Sequence, residues 1–163
     1  VDKIGETARL VMDSMSDIVW AINPENDSMD QIIVRMRDVA NDLLGSQDIA
    51  FYQTIDDAVA TVHLPLEKRR DFFLIYKEAL TNIAKYAQAH QVWIRLQRNE
   101  LGLVLNIHDD GVGFDPHQSA GQDPLGGNGL KNMRVRAEKL GGMFTIQSAP
   151  GQGTRLTLQI SVT

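Results

Sequence analysis

With 163 residues, 43% of them hydrophobic and 23% charged, the chain has the size and apolar content of one soluble domain with a short helical appendage. Its 16 basic and 21 acidic residues leave a net charge of −5, which argues against non-specific attraction to nucleic acid or an anionic membrane as the main task. Cysteine is absent, which removes disulfides and thiolate chemistry, and the longest apolar run, Phe72 to Tyr76, is far too short to span a bilayer.

The sequence starts Val1-Asp2-Lys3 with neither a signal peptide nor an initiator Met, as expected of an excised fragment. Ile4, Ala8, Val11, Met15, Ile18 and Ile22 alternate spacings of four and three, which predicts a bundle-type helix over Ile4–Ile22. Asn23-Pro24 stops it, because proline lacks the amide proton and disfavours a helical residue before it. Ser28, with Gln31 three residues on, has the form of a capping box for a second helix that buries Ile32, Ile33, Met36, Val39, Leu43 and Leu44 and ends near Gly45. Two apolar stretches, Ile49–Ile55 and Val59–Leu64, read as strands. Pro65 suits the first turn of a long helix from Leu66 to Ala87. Strands at Val92–Gln97 and Leu103–Asp109, a glycine-rich loop, a helix at Leu130–Leu140 and strands at Phe144–Ser148 and Arg155–Val162 complete the chain. Because helices and strands do not strictly alternate, the expected class is α+β: a two-layer sandwich whose mixed, mostly antiparallel sheet carries helices on one face.

Four segments carry chemistry. On the long helix, Glu78, Asn82 and Lys85 stand at i, i+4 and i+7, a shared face expected to lie well away from the apolar stripe of Phe72, Ile75, Tyr76, Ala79, Leu80, Ile83 and Ala87. Asn82 offers a hard amide oxygen suited to Mg²⁺, and Lys85 a point charge for phosphate. In the second segment, Asp109-Asp110-Gly111-Val112-Gly113-Phe114, the two-residue strand period puts Asp109 on the apolar face of Leu103, Leu105 and Ile107. A carboxylate there needs a donor, and an adenine amino group would serve. In the third, Gly126-Gly127-Asn128-Gly129-Leu130, freed backbone amides enter a helix N-terminus, an arrangement that suits phosphate. The fourth is the glycine turn Gly151-Gln152-Gly153-Thr154. Taken singly, each also admits a plain structural reading: a solvated helix face, an Asp-Gly turn, a glycine before a helix, a hairpin turn.

Taken in order, Glu-x-x-x-Asn-x-x-Lys-Tyr, Asp-x-Gly-x-Gly-Phe, Gly-x-Gly-Leu and Gly-x-Gly-Thr resemble the ATP-binding family that unites histidine kinases, DNA gyrase, Hsp90 and mismatch-repair MutL, from Leu64 to the C-terminus. That resemblance implies a Bergerat-type ATP-binding fold and ATP with Mg²⁺. Asn82 would coordinate the metal and, with Glu78, make up the catalytic pair. Asp109 would take the adenine amino group with help from Thr154, and Gly111 and Gly113 would floor the base pocket. Gly127, Gly129 and Leu130, with Lys85, would face the phosphates, and Asp115–Asn128 would be a mobile lid. Within the family, Lys77-Glu78-Ala79-Leu80-Thr81-Asn82, Gly129 to Ala137 and Asp17 to Pro24 look like the histidine kinases of nitrate and membrane-fluidity sensors, with Tyr86 standing where that subfamily often has histidine.

The resemblance divides the chain into residues 1–24, a remnant second helix of a dimerisation hairpin with its exit, and residues 25–163, the catalytic domain. No histidine precedes His63, so the expected phosphoacceptor lies outside this sequence. His63, His90, His108 and His117 are expected to be surface or structural residues, too scattered for a metal site. The implied parent is a homodimeric, membrane-anchored kinase with its catalytic domain in the cytoplasm, acting on its own dimerisation helices and then on a response regulator, without nucleic acid. A non-catalytic nucleotide-binding interaction module and an anti-sigma-type serine kinase are the alternatives.

Overall fold

The computed structural model of the chain describes Met15, Val19, Trp20, Asn23, residues 28–116 and residues 129–162. The expected helix over Ile4–Ile22 therefore falls largely outside the described residues, as do His117, Gly127 and most of the expected lid.

Ser28 opens the first helix, α1 (Met29–Gly45): its Oγ accepts the Gln31 N–H at 3.3 Å, satisfying one of the donors that a helix N-terminus leaves bare. Six of its side chains, among them Ile32, Met36 and Leu44, are buried on one stripe. Strand β1 (Ala50–Ile55) follows, alternating exposed and half-buried residues. The stretch expected as a second strand, Val59–Leu64, is instead a 3₁₀ turn over Asp57–Thr61 and an extended exit. Val59 and Val62, three apart, are both buried, and three residues is the repeat of a 3₁₀ turn, so the apolar side chains reach the core without a ladder partner.

The long helix, α2 (Leu66–Asn82), buries Phe72, Phe73, Ile75, Tyr76 and Leu80, and its last expected turn, Ile83–Ala87, is a π turn. Gln88 then leaves in the left-handed region at φ 52°. Strands β2 (Gln91–Asn99) and β3 (Gly102–Asp109) form a hairpin, α3 spans Gly129–Lys139, and β4 (Met143–Ser148) and β5 (Thr154–Ile160) close the chain.

The sheet order is β1-β2-β3-β5-β4, with β1 and β2 parallel and every other pair antiparallel. This is the mixed, mostly antiparallel sheet expected from the sequence. Alternation sends Val92, Ile94, Leu96, Leu103, Leu105, Ile107, Leu156 and Leu158 to one face, where they form the core with α1, α2 and Met133 and Ala137 of α3. The opposite face has no helix on it among the described residues. Tyr76 anchors α2 to α1, its buried hydroxyl donating to the Met36 carbonyl at 2.7 Å.

Candidate functional site

Between the C-terminal half of α2 and the ends of β3 and β5 lies a cavity of about 270 Å³. Its wall is mostly apolar, with Ala79, Ile83, Ile107, Phe114, Met133, Ile146 and Leu156, and its polar side chains are Asn82, Tyr86, Asp109 and Thr154.

Asp109 is the buried charge of this wall, 2% exposed at the end of β3 on the apolar face, where the strand period puts it. Its Oδ1 accepts the Gly111 N–H at 2.8 Å. Burial raises its pKa most strongly. The Asp110 charge adds to that rise, while backbone donors from Gly111 and Thr154 and the neighbouring His108 oppose it. Thr154 faces Asp109 across the ladder and acts on it through its backbone, because its hydroxyl lies 2.9 Å from Ser148 Oγ. Ser148, unremarked in the sequence, is a hub: Oγ also accepts the Phe114 N–H at 2.9 Å and donates to the Gly153 carbonyl at 3.0 Å, tying the Asp109–Phe114 loop to the turn between β4 and β5.

The same loop is held from the other side. Asp110 is not merely a turn residue: its Oδ1 accepts the N–H groups of His90 and Gln91 at 2.8 and 2.9 Å, and these bonds, led by Gln91, hold its carboxyl below the usual range. The Val112 N–H donates to the Ala87 carbonyl at the end of the π turn at 2.8 Å. A Cβ on Gly111 would run into that carbonyl oxygen. Gly113 sits at φ 64° with its Cα against the Ala149 carbonyl, where a side chain would be both strained and obstructed.

Asn82 corrects an expectation. Rather than facing away from the apolar stripe on a solvated surface, it is buried, 8% exposed, in the cavity wall, because α3 begins against it. A Cβ built on Gly129 would strike Glu78 Oε1 and lie 3.3 Å from Asn82 Nδ2, so Glu78, Asn82 and the first residue of α3 meet at one point. Asn82 Nδ2 is buried and finds no hydrogen-bond partner among the described residues. Glu78 is half-buried, and Lys85 departs from both: it is exposed, on the π turn, and does not line the cavity. The wider π turn breaks the α-helical spacing that had grouped it with Glu78 and Asn82. Leu130 is half-buried and packs on the core rather than lining the cavity.

The structure thus brings Asn82, Asp109, Gly113 and Thr154 together in one wall, with Gly111 bonded to Asp109, Gly129 beside Asn82 and Glu78 next to Gly129. The apolar wall residues Met133, Ile146 and Leu156 were not legible as site residues, since nothing distinguishes them in sequence from ordinary core. Among the described residues no group of three His, Asp or Glu side chains is placed to hold a metal ion, and no helix is long and apolar enough to cross a membrane.

The sequence pattern of the histidine kinase-, DNA gyrase B-, and HSP90-like ATPase family matches residues 67–163. The chain is 39% identical over 92 residues to an uncharacterized sensor-like histidine kinase of Chloroflexus aurantiacus, 55% of this chain and 15% of that protein. It is 40% identical over 92 residues to the oxygen sensor histidine kinase NreB of Staphylococcus carnosus, 56% of this chain and 25% of that one. It therefore spans a quarter or less of the length of these relatives. Among solved structures, a blue-light activated histidine kinase of Erythrobacter litoralis superposes with a TM-score of 0.73 at 18% identity, covering 99% of this chain and 50% of that one. The histidine kinase AdeS of Acinetobacter baumannii gives 0.69 at 16% identity, covering 97% and 80%. At such identities these two likenesses speak to the fold.

Proposed function

The chain belongs to the histidine kinase-, DNA gyrase B-, and HSP90-like ATPase family, in the form found in sensor histidine kinases, and from that premise we propose that its cavity holds Mg-ATP for transfer of the γ-phosphoryl group to a histidine of the parent kinase's dimerisation helices. The observation that carries the reading is the buried Asp109. An ionised carboxylate enclosed by apolar side chains and only partly met by backbone donors is a costly feature, and an adenine amino group would complete its hydrogen bonding.

The residues present fit the magnesium nucleotide. Among the described residues the buried Asn82 Nδ2 has no hydrogen-bond partner, which leaves this amide a donor for a ligand, and its oxygen is the hard donor that Mg²⁺ accepts beside water and phosphate. Glu78, which with Asn82 borders Gly129 at the start of α3, is the carboxylate available to take the proton from an incoming imidazole. Gly111 and Gly113 let the backbone close around the base. The first amides of α3, at Gly129 and Leu130, offer the N-terminal end of a helix dipole to phosphate. Mg-ATP supplies the phosphoryl group and the charge screening for its transfer, while the chain's own residues bind, orient and exclude water. Among the described residues no histidine lines the cavity, and His63, His90 and His108 lie elsewhere on the surface or on the open sheet face, in keeping with an acceptor from outside these elements. A membrane-anchored homodimeric parent, with this domain in the cytoplasm and a response regulator downstream, accords with relatives named as sensor kinases.

Calorimetric titration tests the assignment. Asp109→Asn sets an amide donor toward the adenine donor and is expected to cost about 2–3 kcal/mol, about 30- to 150-fold in affinity for Mg-ADP. Unchanged affinity in the folded variant would sink it. Asn82→Ala should weaken ATP binding far more in magnesium than in chelator, and equal losses would reduce Asn82 to a packing role. Mixed with a separate helix hairpin bearing the acceptor, the chain should give acid-labile, base-stable phosphate on that partner. Tight ATP binding without transfer would favour a non-catalytic module.

A further inference from the structure

The sheet face turned away from the helices carries a row of side chains in register across all five strands: Tyr52, Trp93, His108, Arg155 and Gln147. The Tyr52 and Trp93 rings stack at 6.2 Å with 22° between planes, and Trp93 meets the His108 ring edge-on at 5.4 Å and 82°. Arg155 Nη2 lies 3.2 Å from His108 Nδ1. Burial, then the Arg155 charge, lowers the His108 pKa, so the neutral ring can accept from the guanidinium and hold it in place. Even so, Tyr52 and Trp93 are 48% and 40% exposed. A groove lined by Trp93, Arg95, Asn106, His108 and Arg155 runs along the row.

The composition of this face is unlike a solvated sheet surface. Asp109 is the only acidic residue within the five strands, it faces the other way, and the strands contain no lysine. In a chain with 21 acidic and 16 basic residues, the ionised side chains on this face are Arg95, paired with Asp56 just past the end of β1, and Arg155. Exposed Trp and Tyr beside Arg155, with no Lys and with the one neighbouring carboxylate, Asp56, paired at the edge, is the composition found at the centre of protein–protein interfaces, where a desolvated lysine or unpaired carboxylate costs most.

Charge selects the occupant. A second copy docked through the same face would bring Arg155 toward another Arg155, while the Asp56 carboxylate of each copy is already engaged by its own Arg95. Nucleic acid is a poor match as well, since Arg95 is engaged with Asp56 at 3.3 Å and the chain is negative overall. We propose that the open sheet face is the docking surface for an acidic protein partner, whose carboxylates meet Arg155 while its side chains pack on the Tyr52–Trp93 platform. This surface lies on the side of the sheet opposite the nucleotide cavity, so it does not depend on how that cavity is read.

The probe for the test is a glutamate–tyrosine copolymer titrated into the isotope-labelled chain and followed by NMR. The expected result is shifts concentrated at Tyr52, the Trp93 indole, His108 and Arg155, with affinity falling roughly tenfold or more in Arg155→Glu and also falling in Tyr52→Ala. Both side chains are exposed, so both variants should keep the circular dichroism of the parent. Any of four results would overturn the proposal: no binding of the copolymer, binding that Arg155→Glu leaves unchanged, tighter binding of an oligothymidylate than of the copolymer, or self-association in sedimentation that Arg155→Glu abolishes.

Discussion

Asp109 illustrates how one side chain carries both a cost and a function. Burial raises its pKa, so the folded protein holds this proton more tightly than the unfolded chain does. The stability linked to Asp109 is then fully present below the ordinary carboxylate pKa and is lost as pH rises through the raised folded value. At neutral pH the ionised group is a burden on the empty protein. Asp109→Asn, whose amide oxygen can still accept the Gly111 N–H, should therefore be at least as stable as the parent at neutral pH, with its advantage shrinking toward about pH 4. Urea unfolding at the two pH values checks this, and a variant less stable than the parent at neutral pH would contradict the burial argument. Gly113 makes the opposite case, a residue chosen by backbone geometry. Its positive φ and the adjacent Ala149 carbonyl predict that Gly113→Ala loses roughly 2 kcal/mol or more, read as a lower urea midpoint.

Among the elements, α2 is the spine. Its apolar stripe fills the core, its C-terminal half forms one wall of the cavity, and Tyr76 ties it to α1. Burial drives the Tyr76 pKa far upward, so the phenol stays a neutral donor to the Met36 carbonyl. Tyr76→Phe keeps the packing and deletes only that bond, with an expected loss of ~1–2 kcal/mol in unfolding free energy. A loss near zero would mean that the α1–α2 contact rests on packing alone. On its other side, α2 meets α3 through Asp71, buried and 3.6 Å from Arg136, a link that no pattern in the sequence announces. The π turn that ends α2 has a similar status. An uninterrupted helix to Ala87 is what the apolar spacing predicts, yet the Ala87 carbonyl is used by Val112 of the glycine loop, and the turn widens where the two meet.

At the scale of the whole molecule, Trp20 of the N-terminal segment packs on the domain. Its ring lies 5.3 Å from that of Phe73 on α2, and the Arg35 guanidinium of α1 stands over it at 5.7 Å. Residue 20 is thus packed on the same helix that supplies Glu78 and Asn82. If segment and domain form one cooperative unit, the fluorescence of Trp20 in a Trp93→Phe background should follow the same urea transition as far-UV circular dichroism. A separate, earlier fluorescence transition would show that the segment lets go first and that a boundary near residue 24 is also a boundary of stability.

The sequence by itself determined the class of fold, nearly every strand and helix among the described residues, and the family, because each rests on local information. Period-two and period-3.6 patterns, a capping serine and four ordered boxes are all written within short windows of chain. The Asp109 prediction also held for this reason: strand alternation alone sends it to the apolar face. Tertiary structure decided what depends on partners distant in sequence. It turned Val59–Leu64 from a strand into a 3₁₀ turn, since a ladder needs a free neighbour and the core needed only two side chains three residues apart. It buried Asn82 under the start of α3 and left Lys85 outside, because a helical face is solvated only until another element covers it. It made Ser148 and Asp110 into ties for the glycine loop, and it aligned Tyr52, Trp93, His108 and Arg155 into one row, since strand register joins residues that the chain keeps tens of positions apart.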